Sequence, residues 1–501
     1  MKNLTKIFCL LLVFCLALAT FAGCNTDKKD ESDDKGATSQ GPKELVPHLG
    51  ERDLEGFTLT ILGMEDRNEN AYDQCQYVPD EIVNESVNDA VFKRNQKIEQ
   101  EYNCKIKLIT YEGLGGVNDK LREVISTQQP DFHVVSGGLF ELSKFASEGH
   151  LYDFRKLPNS NLKLDGEWWD QAAIRDISLA NVLPFLTGDI AVTDNEATWA
   201  IYFNKQLVKD NELEDPFELV RNNEWTIDKM GEMAKAATKD GDGDLTMTVT
   251  GTDHWGMIAQ TYDGLAFMWG AMQPMITKDA NDLPVFRVAD TQNVDTWTKV
   301  FELLGNQQYT AMSEYYYAWN DPARGVVWDN FIEGRVLFRP GDISTVNSEA
   351  LRNAEQLSYG ILPMPKYDKT QSAYSSSCTV YWATFLTIPK VVSPDDLDKT
   401  TFLLEAMAYL GKEMVTYEYY DVTLKSKRVQ DEDSPEMLEL IFANRTFDLS
   451  AIYNWGDAIQ FYTSIIGSKN NDIASRWDSN REKYETAMAT TIEYFKSLTE
   501  Q

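Results

Sequence analysis

The sequence is poor in basic residues, histidine and cysteine. Its 501 residues include 47 Lys and Arg against 79 Asp and Glu, only four His and six Cys, and the formal net charge is −32 at pH 7. Binding to nucleic acids requires clustered Lys and Arg that displace counterions from phosphates, and the densest basic run is residues 425–428. This deficit excludes a nucleic-acid partner.

Signatures of hydrolytic enzymes are also missing. The chain has no G-x-S-x-G elbow, no H-E-x-x-H pair and no Walker loop. The glycine-rich run 113–116 lacks the lysine and the spacing of a phosphate cradle, so we predict a turn there. His133 lies in a predicted strand and is interpreted as a core or sheet-edge residue. Among 79 acids, carboxylate pairs carry no weight without geometry, so the sequence predicts no enzyme.

Apolar residues are abundant enough to exclude disorder. Hydrophobic residues make up 43% and aromatic residues 12%, which can build sizeable cores in two or three domains or lobes. No Gly/Ser-rich or Pro-rich block separates domains after Pro47. One body with interwoven lobes is therefore favoured.

The N-terminus has the pattern of a bacterial lipoprotein signal. A basic start precedes the uncharged apolar stretch 7–19, which is too short for a stop-transfer helix. Small residues directly before Cys24 resemble a lipobox, in which the thiol is acylated. We therefore predict a signal peptide at residues 1–23 and a lipid anchor on Cys24; an ordinary signal peptide with a chance cysteine is the alternative.

A polar segment follows the predicted anchor. Residues 24–50 are rich in Asp, Lys, Glu and Ser, which predicts a flexible acidic tether that holds the protein at the outer face of the membrane. Cys75, Cys104 and Cys378 then remain in the folded part, so at most one disulfide can form. A Cys75–Cys104 bond and three free thiols both remain open.

Strand and helix patterns alternate along the chain. Residues 57–63 alternate like a strand, 81–102 have helical spacing, and 104–110 alternate again. This order predicts an α/β fold with mainly parallel sheets covered on both faces. Further strands are predicted at 132–135, 199–203, 335–338, 358–363 and 381–388, with a turn at 136–138 after the first of them. Further helices are predicted at 118–127, 140–146, 227–237, 294–304, 402–410, 435–443 and 473–498.

An acidic loop offers oxygen ligands for a hard cation. Asp240, Asp242 and Asp244 alternate with glycines, as in the first half of an EF-hand loop. Leu245 stands where such a loop needs glycine, and Gly251 stands where a glutamate would close the site. A structural calcium site and an exposed acidic turn are both compatible with this pattern, and no other cofactor is expected.

Twelve tryptophans favour a sugar site. Several lie at element ends or in loops with Gly, Asp or Asn, where a ring can cover the C–H face of a pyranose while polar groups bind its hydroxyls. For any single one of these tryptophans, a place in the core is the alternative. The tryptophans in question are Trp168, Trp169, Trp199, Trp269, Trp319, Trp382 and Trp455.

The order of several short motifs resembles the extracellular solute-binding proteins of bacterial ABC importers, in particular the carbohydrate-binding lipoproteins. Each motif is weak alone, and their order and spacing together with the lipobox carry the resemblance. The motifs lie at 130–135, 149–153, 199–205, 224–228, 236–243, 331–338 and 360–365.

This resemblance implies a periplasmic-binding-protein-like fold, with two α/β lobes joined by a hinge and a ligand cleft between them. Lobe 1 would comprise residues 51–198 and 379–420, and lobe 2 residues 199–378 and 421–501. The crossings would lie near 197–203, 379–386 and 421–427. Carried over by position, the resemblance places ligand-binding residues at Glu65, Asp66, Gly137, Gly138, Phe140, Asn195, Trp199, Trp269, Asp342, Tyr381, Trp382, Trp455 and Asp457.

The resemblance further implies a monomeric receptor that captures a sugar or oligosaccharide and delivers it to the transmembrane subunits of an ABC permease. A receptor of the same fold for a peptide or polyol is the first alternative. A secreted glycosidase or lyase and a surface adhesin follow.

Overall fold

Two β-sheets with helices packed around them organise the chain. The computed structural model describes residues 45–65, 76–79, 81–428 and 431–499. The part from Leu45 onward forms one compact unit. The predicted signal peptide, Cys24, Asp66 and Cys75 lie outside the described residues.

The elements are numbered in chain order. The strands are β1 (Phe57–Met64), β2 (Cys104–Tyr111), β3 (Val134–Gly138), β4 (Trp199–Asn204), β5 (Trp255–Ala259), β6 (Ile276–Lys278), β7 (Pro284–Phe286), β8 (Thr310–Met312), β9 (Val336–Asp342), β10 (Tyr359–Leu362), β11 (Ser376–Ser377), β12 (Thr384–Thr387) and β13 (Arg445–Thr446). The α-helices are α1 (Ser86–Tyr102), α2 (Gly113–Thr127), α3 (Leu139–Ser147), α4 (Gln171–Asp176), α5 (Thr193–Glu196), α6 (Lys205–Asp210), α7 (Pro216–Arg221), α8 (Ile227–Ala237), α9 (Asp263–Gly270), α10 (Thr291–Gly305), α11 (Ser313–Tyr316), α12 (Gly325–Ile332), α13 (Glu349–Arg352), α14 (Pro394–Leu410), α15 (Ser434–Ala443), α16 (Leu449–Tyr453), α17 (Gln460–Gly467) and α18 (Ile473–Thr499).

The first sheet has four strands in the order β12-β3-β1-β2, and the second has five in the order β10-β4-β9-β5-β8. In the first sheet β1 runs parallel to β2 and β3, and β12 is antiparallel to β3. In the second sheet β5 runs parallel to β8 and β9, while β4 is antiparallel to both β9 and β10. Parallel strands covered by helices confirm the predicted α/β class.

Local sequence accounts for the helices that pack on these sheets. In α1 the Glu85 carboxylate caps the first turn by accepting from the Asn88 amide at 2.8 Å, and Asn103 ends the helix in the left-handed region. In α8 the Thr226 hydroxyl accepts from the Lys229 amide, and the apolar face of the helix is buried. Helix α8 has its predicted bounds, and α1 begins at Ser86 rather than at residue 81, because Glu85 caps it there.

Two glycine-rich segments differ from their prediction. Residues 113–116 open α2 instead of forming a turn, with Gly113 at a positive φ of 61°. Gly137 and Gly138 extend β3 and are buried. A Cβ at Gly138 would lie 3.0 Å from the Leu114 side chain and 3.3 Å from the Tyr381 carbonyl oxygen. Helix α2 and the segment before β12 therefore pack closely against these glycines. The glycines continue the strand, where the sequence predicts a turn.

The segment near residue 50 packs on α14. Val46 is fully buried, and His48 Nε2 lies 2.8 Å from Glu405 Oε1. The end of the predicted tether is therefore part of the folded body, because its few apolar side chains find a place in the core. The predicted lobe bounds assign all strands of the first sheet to one lobe and all strands of the second to the other. None of the described helices is both long and apolar enough to cross a membrane.

Candidate functional site

The carboxyl ends of the strands in the second sheet meet at one edge. Gln260 follows β5, Glu314 follows β8, and Asp342 ends β9. Trp199 begins β4, which is antiparallel to β9, so it pairs with Asp342 at the same edge. Loops that follow parallel strands at such an edge form the usual ligand site of α/β folds.

The first sheet contributes the opposite wall. Tyr381 and Trp382 precede β12, which is antiparallel to β3, so they lie where β3 ends at Gly138. The Trp382 indole Nε1 donates to Asp342 Oδ2 at 3.1 Å. This bond connects a segment of the first sheet to the end of a strand in the second.

A cavity of about 830 Å³ lies between these walls. Its volume falls within the range of small-molecule sites. Aromatic, hydroxyl, amide and charged side chains surround it. Its principal side chains are Trp199, Gln260, Thr261, Tyr262, Glu314, Trp319, Trp328, Arg339, Asp342, Thr345, Thr379, Tyr381, Trp382, Gln460, Thr463 and Ser464.

Aromatic rings form a continuous row along the cavity. The Tyr262 ring lies 5.9 Å from Trp199 and 5.3 Å from Tyr381, and Tyr381 lies 5.3 Å from Phe140. Burial raises the pKa of the Tyr262 and Tyr381 hydroxyls, so both remain protonated donors at neutral pH. The row crosses from the second sheet to the first and supplies apolar faces with polar edges.

The two carboxylates of the cavity already have hydrogen-bond donors. Glu314 Oε1 accepts from Arg324 at 2.8 Å, and Glu314 Oε2 accepts from the Thr261 amide at 3.1 Å. Asp342 Oδ1 accepts from the Ser344 hydroxyl at 2.6 Å, and its other oxygen accepts from Trp382. These acids are therefore held in fixed positions at the cavity wall.

A positively charged side chain, that of Arg339, lines the larger cavity. Its guanidinium carbon lies 5.2 Å from the centre of the Trp328 ring, and its Nε is buried without a hydrogen-bond partner among the described residues. Burial lowers the pKa of Arg339, and the nearby Tyr202 and Asp342 oppose that shift.

A second cavity continues on the other side of Tyr381. It has a volume of about 410 Å³ and lies against α2 and α3. Tyr381 lines both cavities, so the two compartments adjoin at its ring. The other side chains of the second compartment are Leu114, Asn118, Asp119, Arg122, Phe140, Glu141, Lys144 and Phe145.

The structure brings part of the predicted ligand-binding set together. Trp199, Asp342, Tyr381 and Trp382 line the larger cavity, and Phe140 lines the second. Three further predicted residues lie at the same edge of the first sheet without lining either cavity. They are Glu65, which is exposed after β1, and the buried Gly137 and Gly138 of β3.

Four other predicted residues lie elsewhere. Asn195 Oδ1 accepts from buried Arg445 at 2.8 Å. Trp269 Nε1 donates to Asp448 Oδ2, and the ring lines a separate pocket of about 370 Å³. Trp455 is buried against α18, and Asp457 is exposed.

Sequence reasoning did not select several residues that line the larger cavity. Tyr262 and Arg339 had no motif of their own, although each lies within three residues of the end of a strand or of a predicted site residue. Trp319 was noted only for its loop, and it is 61% exposed at the cavity rim with its ring 4.1 Å from the Arg324 guanidinium carbon.

The acidic loop gathers its carboxylates. Oxygens of Asp240, Asp242 and Asp244 lie within 4.8 Å of one another. Leu245 adopts the left-handed conformation, with φ of 68°, that glycine usually provides at this turn. The buried Asp253 accepts from the Gly241 and Thr248 amides and holds the loop in shape. Calcium takes about six to eight oxygen ligands, of which these three carboxylates can supply part.

The family described as bacterial extracellular solute-binding proteins matches residues 93–422, more than half of the chain. No curated protein matches the sequence.

Solved structures share the fold. An ABC substrate-binding protein from Listeria monocytogenes, in complex with cycloalternan, is 12% identical, with a TM-score of 0.54 over 86% of this chain and 99% of that one. UspC of M. tuberculosis is 13% identical, with a TM-score of 0.54 over 87% and 100% of the two chains. The GacH receptor of Streptomyces glaucescens, described unliganded and with acarbose, is 13% identical, with a TM-score of 0.51 over 88% and 98%. The likeness confirms the two-lobed, periplasmic-binding-protein-like fold, and the chain belongs to the family of bacterial extracellular solute-binding proteins.

Proposed function

We propose that this protein is the substrate-binding component of an ABC importer and that its ligand is a sugar or oligosaccharide. The observation that carries the proposal is the cavity of about 830 Å³ in which aromatic faces from both sheets meet fixed carboxylates and hydroxyls. A pyranose needs apolar platforms for its C–H faces and polar partners around its rim. The similar Listeria protein in complex with cycloalternan and the GacH receptor with acarbose support the same ligand class.

The second compartment supports a ligand longer than one sugar ring. Tyr381 borders both cavities and is flanked by aromatic rings on each side. A chain of two or more sugar units can therefore cross this ring. Isothermal titration calorimetry with mono-, di- and trisaccharides tests the proposal, and failure to bind any member of a broad glycan panel would overturn it.

A peptide or polyol receptor of the same fold remains the first alternative, because the fold does not determine the ligand. Peptides and polyols in the same calorimetric panel separate these classes. A binding protein returns its ligand unchanged, so chromatography of each glycan after long incubation also tests the non-enzyme assignment. Cleavage of a glycan would replace the receptor by a secreted glycosidase or lyase.

The N-terminal pattern supports a lipid-anchored, extracytoplasmic receptor. Residues 1–23 would be removed, Cys24 would be acylated, and the acidic segment after it would hold a monomer near its permease. Labelling of cells with a palmitate analogue tests this anchor. Cys24→Ser should abolish labelling and release the protein from membranes, whereas unchanged labelling would contradict the assignment.

A structural calcium ion at the acidic loop is a second proposal. Asp240 accepts from the Gly243 and Leu245 amides at 2.6 and 2.7 Å, and these bonds lower its pKa, so its charge is available for a cation. Millimolar calcium should raise the melting temperature of the wild-type chain, because a ligand that binds only the folded state stabilises it. Asp242→Asn with Asp244→Asn should remove the shift. An equal shift in both proteins, or none in the wild type, would contradict the site.

A further inference from the structure

Arg339 has an incomplete set of partners. It lies in β9 three residues before Asp342, at the wall of the larger cavity. No described carboxylate lies within 4.0 Å of its guanidinium nitrogens, and the side chain donates no hydrogen bond to a described residue. The side chain is half-buried, and carboxylates such as Asp342 lie near it without bonding to it. Its donors are therefore open to a partner from outside the chain.

A second arginine near the cavity, Arg324, has several hydrogen-bond acceptors within the protein. Arg324 donates to Ser313, to Gln260 at 3.1 Å and to Glu314 at 2.8 Å. Among the arginine side chains that the structure describes, only Arg339 and Arg352 have neither a hydrogen bond nor an ion pair. Arg352 is exposed to solvent, which supplies its partners. Arg339 faces the cavity instead.

The carboxylates and two nitrogen donors of the wall differ in how far they are satisfied. Both oxygens of Asp342 and both oxygens of Glu314 already accept hydrogen bonds. In contrast, the Trp199 indole nitrogen and Arg339 Nε are buried donors without an acceptor, and Trp199 is only 5% exposed. The Tyr262 hydroxyl also lacks a partner within the described part of the chain and can donate or accept. A ligand satisfies the two nitrogen donors only if it brings acceptors.

From this imbalance we infer that the bound carbohydrate carries a carboxylate, as a uronic acid does, and that Arg339 binds it. The inference rests on the proposed sugar-binding function. The planar guanidinium matches a carboxylate through two parallel hydrogen bonds, and a charged acceptor strengthens each of them. The Trp328 ring supports the guanidinium from one face, which fixes the direction of its donors.

The net charge of −32 does not oppose an anionic ligand in this position. Exposed charges farther away than about 10 Å are largely screened at physiological salt, whereas a contact inside the cavity is screened much less. Two carboxylates face the same cavity, but each is engaged by donors from the protein. The charges and hydrogen-bond donors next to Arg339, rather than the net charge of the protein, therefore decide which end of the ligand lies there.

Calorimetry with three matched ligands tests the inference on the purified full-length chain. The ligands are disaccharides from a uronate series, their methyl esters and the corresponding neutral disaccharides, each titrated at 50 and 500 mM NaCl. We expect the acid to bind at least tenfold tighter than its ester at low salt, and high salt to reduce this preference. Arg339→Gln should bring acid and ester within threefold of each other, and Arg339→Lys should keep part of the preference. Arg352→Gln, which removes an exposed arginine, should change nothing.

The outcomes separate this inference from the proposed function. If neutral sugars or esters bind as tightly as acids, the sugar receptor stands and the carboxylate assignment is wrong. If acids are preferred and Arg339→Gln leaves the preference intact, another residue binds the carboxylate. If no sugar binds, both proposals fall. Because the salt series on the wild type needs no variant, it tests the charge even if Arg339→Gln does not fold.

Discussion

Trp199 and Trp455 differ in whether the protein satisfies the hydrogen-bond donor of their indole ring. The Trp199 ring faces the cavity, and its indole nitrogen has no acceptor among the described residues. Trp455 is stacked on Tyr453 with ring centres 5.0 Å apart and donates to the Thr491 hydroxyl at 2.9 Å. The Trp199 indole nitrogen lacks an acceptor, which a ligand can supply. The Trp455 indole nitrogen already has one in the Thr491 hydroxyl.

Alanine substitutions should separate these two environments. Trp199→Ala should weaken sugar binding by more than ~1 kcal/mol, because an aromatic platform and a donor are lost. Trp455→Ala should leave affinity unchanged and lower the free energy of unfolding by about 3–5 kcal/mol, because it opens a cavity in the core. Calorimetry and urea unfolding of both variants measure the two effects. Weaker binding in Trp455→Ala with unchanged stability would place Trp455 in the ligand site.

Arg445 is a buried cation whose partners come from distant parts of the chain. Its guanidinium contacts Asp170, lies 3.2 Å from Asp194 Oδ2 and donates to Asn195. Replacement by Met should lower the free energy of unfolding by about 3–5 kcal/mol, because two carboxylates then stay buried without their counter-charge. Arg481→Met is the control, since its exposed pair with Glu485 contributes at most about 0.5 kcal/mol. Equal losses in the two variants, measured by chemical denaturation, would argue against this account.

At the scale of elements, α14 continues past its α-helical end into π-type turns at Gly411–Thr416 and Glu418–Arg428. A Cβ at Gly411 would lie 2.0 Å from the Asp189 carbonyl oxygen, so only glycine permits this close packing. The Thr416 hydroxyl donates to Asp189 Oδ1 at 2.7 Å. Asp189 therefore anchors the start of this segment.

Stability should depend on pH through Asp189. Burial raises the pKa of its carboxyl to about 6, above the value of about 3.9 for an unfolded chain. The folded state keeps this proton between about pH 4 and pH 6 after the unfolded chain has lost it, so this group lowers the free energy of unfolding as pH rises. Asp189→Asn should be more stable than wild type by on the order of 2–3 kcal/mol at about pH 8, and close to it at about pH 4. Urea unfolding at both values measures this, and a constant difference would contradict the titration.

Elements were predictable where the pattern is local. The helix Ile227–Ala237 has the predicted bounds, because a threonine cap and one apolar face define it without help from other segments. Strand β9 was predicted to end at residue 338 and continues to Asp342, because pairing with β4 holds the polar end in the ladder. The local sequence predicts a turn at the glycines of β3, because no local signal shows that α2 and the residues before β12 approach them.

For the whole molecule, capture of the ligand should stabilise the fold. A ligand present at 100 times its dissociation constant raises the free energy of unfolding by about 2.7 kcal/mol when it binds only the folded state. Closure of two lobes over the ligand should also lower the radius of gyration in small-angle X-ray scattering. Trp199→Ala at the same ligand concentration serves as the control with reduced effect. Full stabilisation with an unchanged radius would support binding without closure.

The sequence by itself determined the class of protein. Its alternating strands and helices predict an α/β fold, and its weak basic content excludes a nucleic-acid partner. Its ordered motifs resemble the solute-binding proteins, and this resemblance implies the two lobes and the receptor function. The tertiary structure decided which residues meet. Trp199, Asp342, Tyr381 and Trp382 lie at one cavity because strands far apart in sequence end at a common edge, while the equally promising Trp455 is enclosed by α18. Burial and the supply of hydrogen-bond partners depend on packing between distant segments. Only this packing shows that Arg339 lines the cavity without a hydrogen-bond partner among the described residues.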